Sequence, residues 1–208
     1  YQWQDIFYKK NNNLDNFIYR EKNKLVFQGK KISRQQVDNY LKHRNNNVFP
    51  INQEYERHLL GTAGTLRKHL ASLRGYTVVM LHSDNATDLN LQDLIQAHNN
   101  RPTGCLLTML TFTTDKPQQC GIVEKDEKGV IQAFHEKIAD PPGNEANGAL
   151  YVFGDDFLDT FSELSGDKSD FSTEILPTMV GRAYAWHTRM PFVDIGTPES
   201  LARAREIW

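Results

Sequence analysis

Residues 76–85, YTVVMLHSDN, run from apolar residues directly into a histidine, a serine, an aspartate and an asparagine. An apolar run of this length is typical of a strand that is buried on both faces. Asp84 follows it, however, and a charge is costly to bury without a partner. Two interpretations are open: Asp84 begins an ordinary polar loop, or it stands at a strand end where a cation is held.

The chain on either side of this strand alternates strand and helix patterns, which predicts an α/β fold in one mixed domain. A glycine-bearing loop at 59–64 leads into a predicted helix at 65–73, and a helix at 91–98 follows the strand. The remaining predicted elements are a buried strand at 105–112, two strands around a turn at 126–129, strands at 148–154 and 182–188, helices at 155–164 and 172–180, the second interrupted at Pro177, and a last helix capped by Thr197 with Pro198 as its first residue.

The N-terminal part has a different character. Residues 1–47 are rich in asparagine and lysine and show little hydrophobic periodicity. A short helix is predicted at 34–44, with Ser33 as its N-cap, and a short strand at 48–51. We therefore divide the chain into an atypical N-terminal segment at 1–35 and an α/β domain at 36–208.

Composition excludes several classes of protein. The 24 basic and 26 acidic residues give a formal charge of -2, so no sequence-wide positive field favours a nucleic acid or an anionic membrane as a partner. Two cysteines, Cys105 and Cys120, are too few for a disulfide framework or a zinc site. The apolar runs are shorter than a membrane span. We expect a cytoplasmic protein, and the sequence leaves a homo-oligomer open.

Two acidic residues at predicted strand ends indicate a metal site. Asp84 and Asp194 each follow apolar residues, in HSDN and in FVDIGTPE. In open α/β sheets ligands gather beyond the carboxyl ends of the strands. Two carboxylates from distant segments, with room left for phosphate oxygens and water, are a usual arrangement for Mg²⁺ in phosphoryl chemistry.

Two further stretches are candidates for ligand contacts. Small residues in LGTAG, at 60–64, would let a ligand approach the backbone at the start of a helix, although a tight turn without a ligand fits equally well. Lys137 could neutralise a phosphate, while Glu136 and Asn147 could bond hydroxyl groups, although a solvated pair of charges is the simpler interpretation of Glu136 and Lys137. Three other residues have structural interpretations: Tyr151 packs, and Ser172 and Thr173 cap a helix.

Taken together and in order, LGTAGTL, HSDN, PQQCGIVEKDEKGVIQAFHEK, NGALYVF and FVDIGTPESLARA resemble segments of the sugar-phosphate nucleotidyltransferases, the family of mannose-1-phosphate and heptose-1-phosphate guanylyltransferase. The resemblance covers roughly residues 36–208. Five segments in one order are more specific than any single motif.

The resemblance implies a Rossmann-like mixed sheet of the GT-A type, flanked by helices, that condenses a nucleoside triphosphate with a sugar 1-phosphate. It implies that Asp84 and Asp194 hold Mg²⁺ and act in catalysis together with Lys137. It also implies a leaning toward GTP and toward mannose or a manno-heptose. The residues implied in substrate binding are Gly61, Thr62, Ala63, Gly64 and Asp84 for the nucleotide, and Gly121, Glu136, Lys137 and Asn147 for the sugar.

The chain departs from the family pattern at its N-terminus. The family has a first strand followed by a G-G-x-G-T-R-L loop and later a P-K-P segment, whereas the first 35 residues here hold one glycine, Gly29, and no proline. We expect the opening strand and its phosphate-binding loop to be absent or replaced. Three explanations are open: the N-terminal portion has been lost, mobile residues are missing from the sequence, or the protein is a divergent member that binds without turnover.

Two other functions are therefore kept beside the transferase. A regulatory homologue would bind a nucleotide sugar without releasing pyrophosphate. A glycosyltransferase would use the same kind of sheet and a similar strand-end aspartate to transfer a sugar to an acceptor.

Overall fold

A computed structural model of the protein describes residues 5–11, 14–21, 25–27, 30–32, 51–55, 60–82, 84–164, 166 and 169–208. The predicted helix at 34–44 and its cap Ser33 lie outside the described residues, as does the predicted strand at 48–51 except for Ile51. Within the described part of the chain, every helix is too short or too polar to span a bilayer.

Between Gly61 and Thr113 the described elements alternate between helices and strands, as predicted. The strands are β1 Asp5–Asn11, β2 Leu14–Glu21, β3 Leu25–Phe27, β4 Lys30–Ile32, β5 Ile51–Tyr55, β6 Thr77–His82, β7 Asn85–Thr87, β8 Leu107–Thr113, β9 Gly121–Lys125, β10 Ile131–Glu136, β11 Glu145–Phe153, β12 Ala183–His187 and β13 Phe192–Asp194. The helices are α1 Gly61–Leu73, α2 Leu91–Asn99, α3 Asp155–Glu163 and α4 Pro198–Ile207, with a π-helical turn at Phe171–Ile175 and short 3-10 turns at Pro117–Gln119 and Leu176–Met179.

A mixed sheet forms the centre of the fold, which confirms the predicted class. Strand β11 is its hub: one edge pairs with β8, and the other pairs with β9 at Ala146 and with β6 over Leu150–Phe153. Strand β12 runs parallel to β8, and β10 pairs with β9. On the far side of β6 lies β1, antiparallel to it, followed by β2 and β5. The weak pattern of residues 1–47 did not predict β1 and β2.

The sheet is covered on both faces, which explains the continuous apolar run of β6. Val78 and Met80 belong to a cluster under α1, α3 and the 171–179 segment, whereas Val79 belongs to a second cluster under α2. Strand side chains alternate between the two faces. A strand buried on both faces therefore has no polar positions until it ends.

Three expectations about local structure were wrong. The predicted loop at 59–64 ends early, because α1 begins at Gly61 and its first turn is held by contacts with residues 169–171. The predicted helix at 172–180 is a π-helical turn followed by a 3-10 turn that contains Pro177. Its cap is Asp170, which accepts a hydrogen bond from the Thr173 amide, and not Ser172 or Thr173.

The C-terminal helix matches its prediction. Thr197 and Ser200 form a reciprocal capping box, and Pro198 occupies the first turn of α4. Proline is well suited there because its missing N–H would have no partner within the helix. A local signal that is complete in the sequence therefore gave the correct helix start.

A buried histidine makes stability depend on pH. His98 is 4% exposed on α2, and its Nδ1 lies 2.9 Å from the Thr108 hydroxyl oxygen. Burial, followed by the positive charge of Arg101, lowers the pKa of His98 to about 4, while Asp156 opposes the shift. The folded protein therefore keeps this ring neutral at a pH where the unfolded chain protonates it.

We predict that the free energy of unfolding falls as the pH falls from about 6.5 toward 4, because His98 then binds a proton only in the unfolded state. The His98→Gln variant should lose less stability over the same pH range. Urea unfolding at pH 7, 6 and 5 measures the difference. Parallel curves for the two proteins would contradict the assignment.

Candidate active site

The two predicted metal ligands come together through a pair of very short strands. Strands β7 and β13 form an antiparallel ladder in which Asn85 lies opposite Asp194. The Ile195 amide donates a hydrogen bond of 2.7 Å to the Asp84 carbonyl oxygen. Two segments more than a hundred residues apart in sequence therefore meet at the end of β6.

The carboxylates of this pair interact unfavourably. Burial, followed by the negative charge of Asp194, raises the pKa of Asp84 to about 6, and the charge of His82 opposes the shift only in part. Oδ1 of Asp84 is buried and has no hydrogen-bond partner among the described residues. Asp194 is exposed, and its Oδ1 accepts a hydrogen bond of 2.8 Å from the Gly196 amide.

A hard divalent cation fits this arrangement. It would neutralise the two like charges and supply the buried Asp84 oxygen with a partner. No group of three or more histidine, cysteine, aspartate or glutamate side chains in the described ranges could hold a metal by itself. A two-carboxylate site leaves positions open, which suits Mg²⁺, because this ion keeps water and substrate phosphate oxygens as ligands.

The predicted sugar-binding asparagine lies beside the Asp84–Asp194 pair. The side chain of Asn85 donates to the Gly148 carbonyl oxygen at 2.8 Å and so joins HSDN to NG. Asn147 stands where the pairing of β11 with β8 is interrupted. Its Oδ1 accepts from the Ala149 amide at 2.9 Å, and its Nδ2 donates to the Tyr151 hydroxyl at 2.8 Å. The side chain is therefore held in one orientation.

Gly121 and Glu136 face each other across the β9–β10 ladder. A Cβ atom at Gly121 would lie 2.6 Å from Oε2 of Glu136 and 2.7 Å from a ring carbon of Phe134. Only glycine allows this close approach. Burial raises the pKa of Glu136, and the neighbouring Lys137 opposes that shift.

Lys137 directly follows β10 and has an unusual backbone conformation. Its φ is 50°, and its amide donates to the Cys120 carbonyl oxygen. Its side chain is 64% exposed, and Nζ lies 3.6 Å from Oε1 of Glu136.

The Cys120 thiol lies among the charges of both pairs. Burial raises its pKa, Lys137 opposes the shift, and the charges of Asp194 and Glu136 add to it. The Asp84–Asp194 pair and the Glu136–Lys137 pair are therefore neighbours.

The predicted nucleotide-binding residues form the first turn of α1 and contact a segment that the sequence did not single out. The Ala63 amide donates to the Ser169 carbonyl oxygen at 2.9 Å, and the Phe171 amide donates to Oγ1 of Thr62 at 2.6 Å. Residues 61–64 are therefore joined to residues 169–171.

Three residues that we did not predict as functional, Tyr151, Asp170 and Ser172, belong to this part of the site. Tyr151 is fully buried, and its hydroxyl interacts with both Asn147 and Ser172. Burial is the main cause of the raised pKa of Glu136, and Asp170 lies close enough for its negative charge to add to that shift. The acidic residue before an apolar turn in SDFSTE was a signal for Asp170, whereas nothing in the sequence distinguished Tyr151 from a packing residue.

The family model described as nucleotidyl transferase matches residues 11–207 of this chain. The chain belongs to the nucleotidyl transferase family. The match to the family model begins at residue 11, whereas the resemblance that we read from the sequence begins at about residue 36.

Known relatives carry different substrates in their names. The mannose-1-phosphate guanylyltransferase of Mycobacterium tuberculosis is 27% identical over 152 residues, which are 71% of this chain and 41% of that protein. The glucose-1-phosphate adenylyltransferase of Clostridium novyi is 24% identical over 155 residues, 70% of this chain and 41% of that protein. The chain thus spans about two fifths of the length of both curated relatives.

The fold is also shared with solved structures. HddC from Yersinia pseudotuberculosis superimposes with a TM-score of 0.66 at 20% identity, covering 84% of this chain and 73% of that one. The same protein has been solved in complex with GMP-PN. At this identity the likeness establishes the fold.

A glycine-to-alanine comparison tests the packing at Gly121. The added methyl group must displace Glu136 or Phe134, so we predict a loss of about 1–3 kcal/mol in the free energy of unfolding for Gly121→Ala. The control is Gly143→Ala, where a Cβ atom would meet nothing within 4 Å. Denaturant unfolding measures both variants, and equal stabilities would contradict the close approach.

A second test concerns the like charges. Without divalent metal, Asp84→Asn removes the repulsion from Asp194, and we predict that the free energy of unfolding rises by about 1 kcal/mol at pH 7.5. Asp93, exposed in the first turn of α2, is the control, because a carboxylate there is favoured by the helix and Asp93→Asn should not stabilise. Melting curves recorded with a chelator give the comparison. A lower melting temperature for Asp84→Asn would contradict the repulsion.

Proposed function

We propose that the protein is a Mg²⁺-dependent sugar-1-phosphate nucleotidyltransferase. The observation that carries the proposal is the convergence of Asp84 and Asp194, with one buried carboxylate oxygen lacking a partner among the described residues. Such a pair is costly in a protein that binds no cation. Membership of the nucleotidyl transferase family supports the reaction class.

In the proposed reaction an oxygen of the sugar phosphate attacks the α-phosphorus of the nucleoside triphosphate. The bond from that phosphorus to the bridging oxygen breaks, and pyrophosphate leaves. A magnesium ion held by Asp84 and Asp194 would neutralise phosphate charge. Catalysis then depends on positioning and on charge neutralisation, and no side chain of the protein has to act as a nucleophile.

The other residues of the site have roles in holding the sugar phosphate. Lys137 presents an exposed ammonium group next to Glu136, where it would neutralise the phosphate. The half-buried Glu136 carboxylate would accept hydrogen bonds from sugar hydroxyls. Asn147, whose amide is fixed by Ala149 and Tyr151, would present a rigid polar edge to the sugar.

We further propose GTP and a manno-configured sugar as the preferred substrates. The GTAG form of the loop favours guanine by resemblance, and the name of the M. tuberculosis relative is consistent with both substrates. The C. novyi relative is an adenylyltransferase by name, so the base has to be tested directly.

The experiment is a screen of the four common nucleoside triphosphates against mannose 1-phosphate, a manno-heptose 1-phosphate and glucose 1-phosphate, with Mg²⁺ or with a chelator. We predict pyrophosphate release only with metal, and a nucleotide sugar detectable by mass spectrometry. Because Asp84→Asn removes a ligand charge, the rate should fall at least about 100-fold. Asp93→Asn, at an exposed position in the first turn of α2, should retain the wild-type rate.

Other outcomes would identify the two rival functions. Binding of a nucleotide sugar without any pyrophosphate release would indicate a regulatory homologue. Transfer of the sugar from a nucleotide sugar to an acceptor would indicate a glycosyltransferase. Metal-independent turnover, or turnover unaffected by Asp84→Asn, would contradict the role given to the aspartate pair.

A further inference from the structure

Residues 169–171 lie unusually close to the first turn of α1. Gly61 has a φ of +73°, and a Cβ atom there would lie 2.1 Å from the carbonyl oxygen of Ser169. Next to this contact, the Ala63 amide donates to the Ser169 carbonyl oxygen, and the Phe171 amide donates to the Thr62 hydroxyl. A glycine and two hydrogen bonds thus join the segment to the predicted nucleotide-binding turn.

The other side of the same segment contacts the predicted sugar-binding residues. The ring of Phe171 packs 4.8 Å from that of Tyr151, measured between centroids. The Tyr151 hydroxyl interacts with Ser172 and accepts the hydrogen bond from Asn147. Asp170 interacts with the charge of Glu136. One short segment therefore contacts both the predicted nucleotide-binding residues and the predicted sugar-binding residues.

The segment is internally braced. The Glu174 carboxylate accepts hydrogen bonds from the amides of Ser169 and Asp170, each at 2.7 Å. The Asp170 carboxylate in turn accepts from the Thr173 amide at 2.8 Å and from the Thr173 hydroxyl at 2.9 Å. Because these bonds close on one another within six residues, a displacement at one end is passed to the other end.

We propose that Thr62 is a positioning residue that couples the two substrate sites. Its hydroxyl accepts the Phe171 amide at 2.6 Å and so ties the sugar side to the nucleotide side. Nucleotide bound at the first turn of α1 then fixes residues 169–172, and with them Tyr151 and Asn147, in the conformation that receives the sugar phosphate. The inference rests on the proposed function, because it needs both substrates to bind where that function assigns them.

The contact has a direct energetic consequence. Phe171 is 1% exposed, so its amide has little access to water if the Thr62 hydroxyl is removed. A buried donor left without a partner destabilises the conformation that buries it. The segment therefore has to move before the Phe171 amide can find another partner. By linkage, bound nucleotide changes the affinity for the sugar phosphate by the same factor as bound sugar phosphate changes the affinity for the nucleotide.

The first test examines the contact itself and needs no ligand. Thr62→Val is nearly isosteric and removes the acceptor, whereas Thr62→Ser keeps it. The control is Thr178→Val, because the Thr178 hydroxyl donates to the Ile175 carbonyl oxygen within its own turn. We expect amide hydrogen exchange at Phe171 to accelerate at least about tenfold in Thr62→Val and to stay at the wild-type rate in the other two variants. An unchanged rate in Thr62→Val would overturn the proposal.

The second test examines the coupling by calorimetry. Mannose 1-phosphate is titrated into the protein with Mg²⁺, in the absence and in the presence of saturating α,β-methylene-GTP, whose α–β bond cannot be broken by the reaction. We expect the nucleotide to strengthen sugar phosphate binding about 5-fold or more in the wild type and in Thr62→Ser, within the range of allosteric couplings. The factor should approach one in Thr62→Val.

The possible results separate the inference from the proposed function. A weaker nucleotide affinity in Thr62→Val with the coupling retained would mean that Thr62 contacts the nucleotide, and would overturn the proposal. If the wild type binds neither ligand although Phe171 exchange responds as expected, the proposed function fails, and the coupling fails with it, while the structural contact stands.

Discussion

Two negatively charged side chains are held together at the end of β6, and the arrangement of the site depends on that contact. Three residue pairs between β7 and β13 fix Asp84 next to Asp194. So short a ladder is not stable by itself. It is supported by packing, because Val193 is buried and the ring of Phe192 stacks on Phe112 with centroids 4.4 Å apart. The core beneath the pair thus compensates for the repulsion within it.

Backbone strain is concentrated in the same region. Lys137 and Ala149 both have a φ of 50°, which residues other than glycine rarely adopt. Each such residue lowers the free energy of unfolding by of order 1–3 kcal/mol. The strain is maintained by hydrogen bonds from the amides of these two residues, to Cys120 and to Asn147 respectively. Strained residues and like charges at one place are typical of a site selected for ligand binding at some expense of stability.

The sequence predicted the strongly patterned elements well and the weakly patterned ones poorly. The strand at 76–81, the helix at 91–98 and the capped helix at 198–207 were confirmed within about two residues, because their periods and caps are local signals. Strands β7 and β13 were missed because three residues are too few to show a period. The early start of α1 was missed because its partners are more than a hundred residues away in sequence.

By itself the sequence determined the fold class, the family and the residue types of the site, since alternating elements and five ordered segments are properties of the chain order. Only the tertiary structure decided which of those residues meet. Asp84 and Asp194 were predicted as a pair and do meet, but Tyr151, Asp170 and the contact between Thr62 and the Phe171 amide emerged only from the folded chain. The physical reason is that charge repulsion, burial and hydrogen bonding act over a few ångströms in space, and distance along the chain does not encode them.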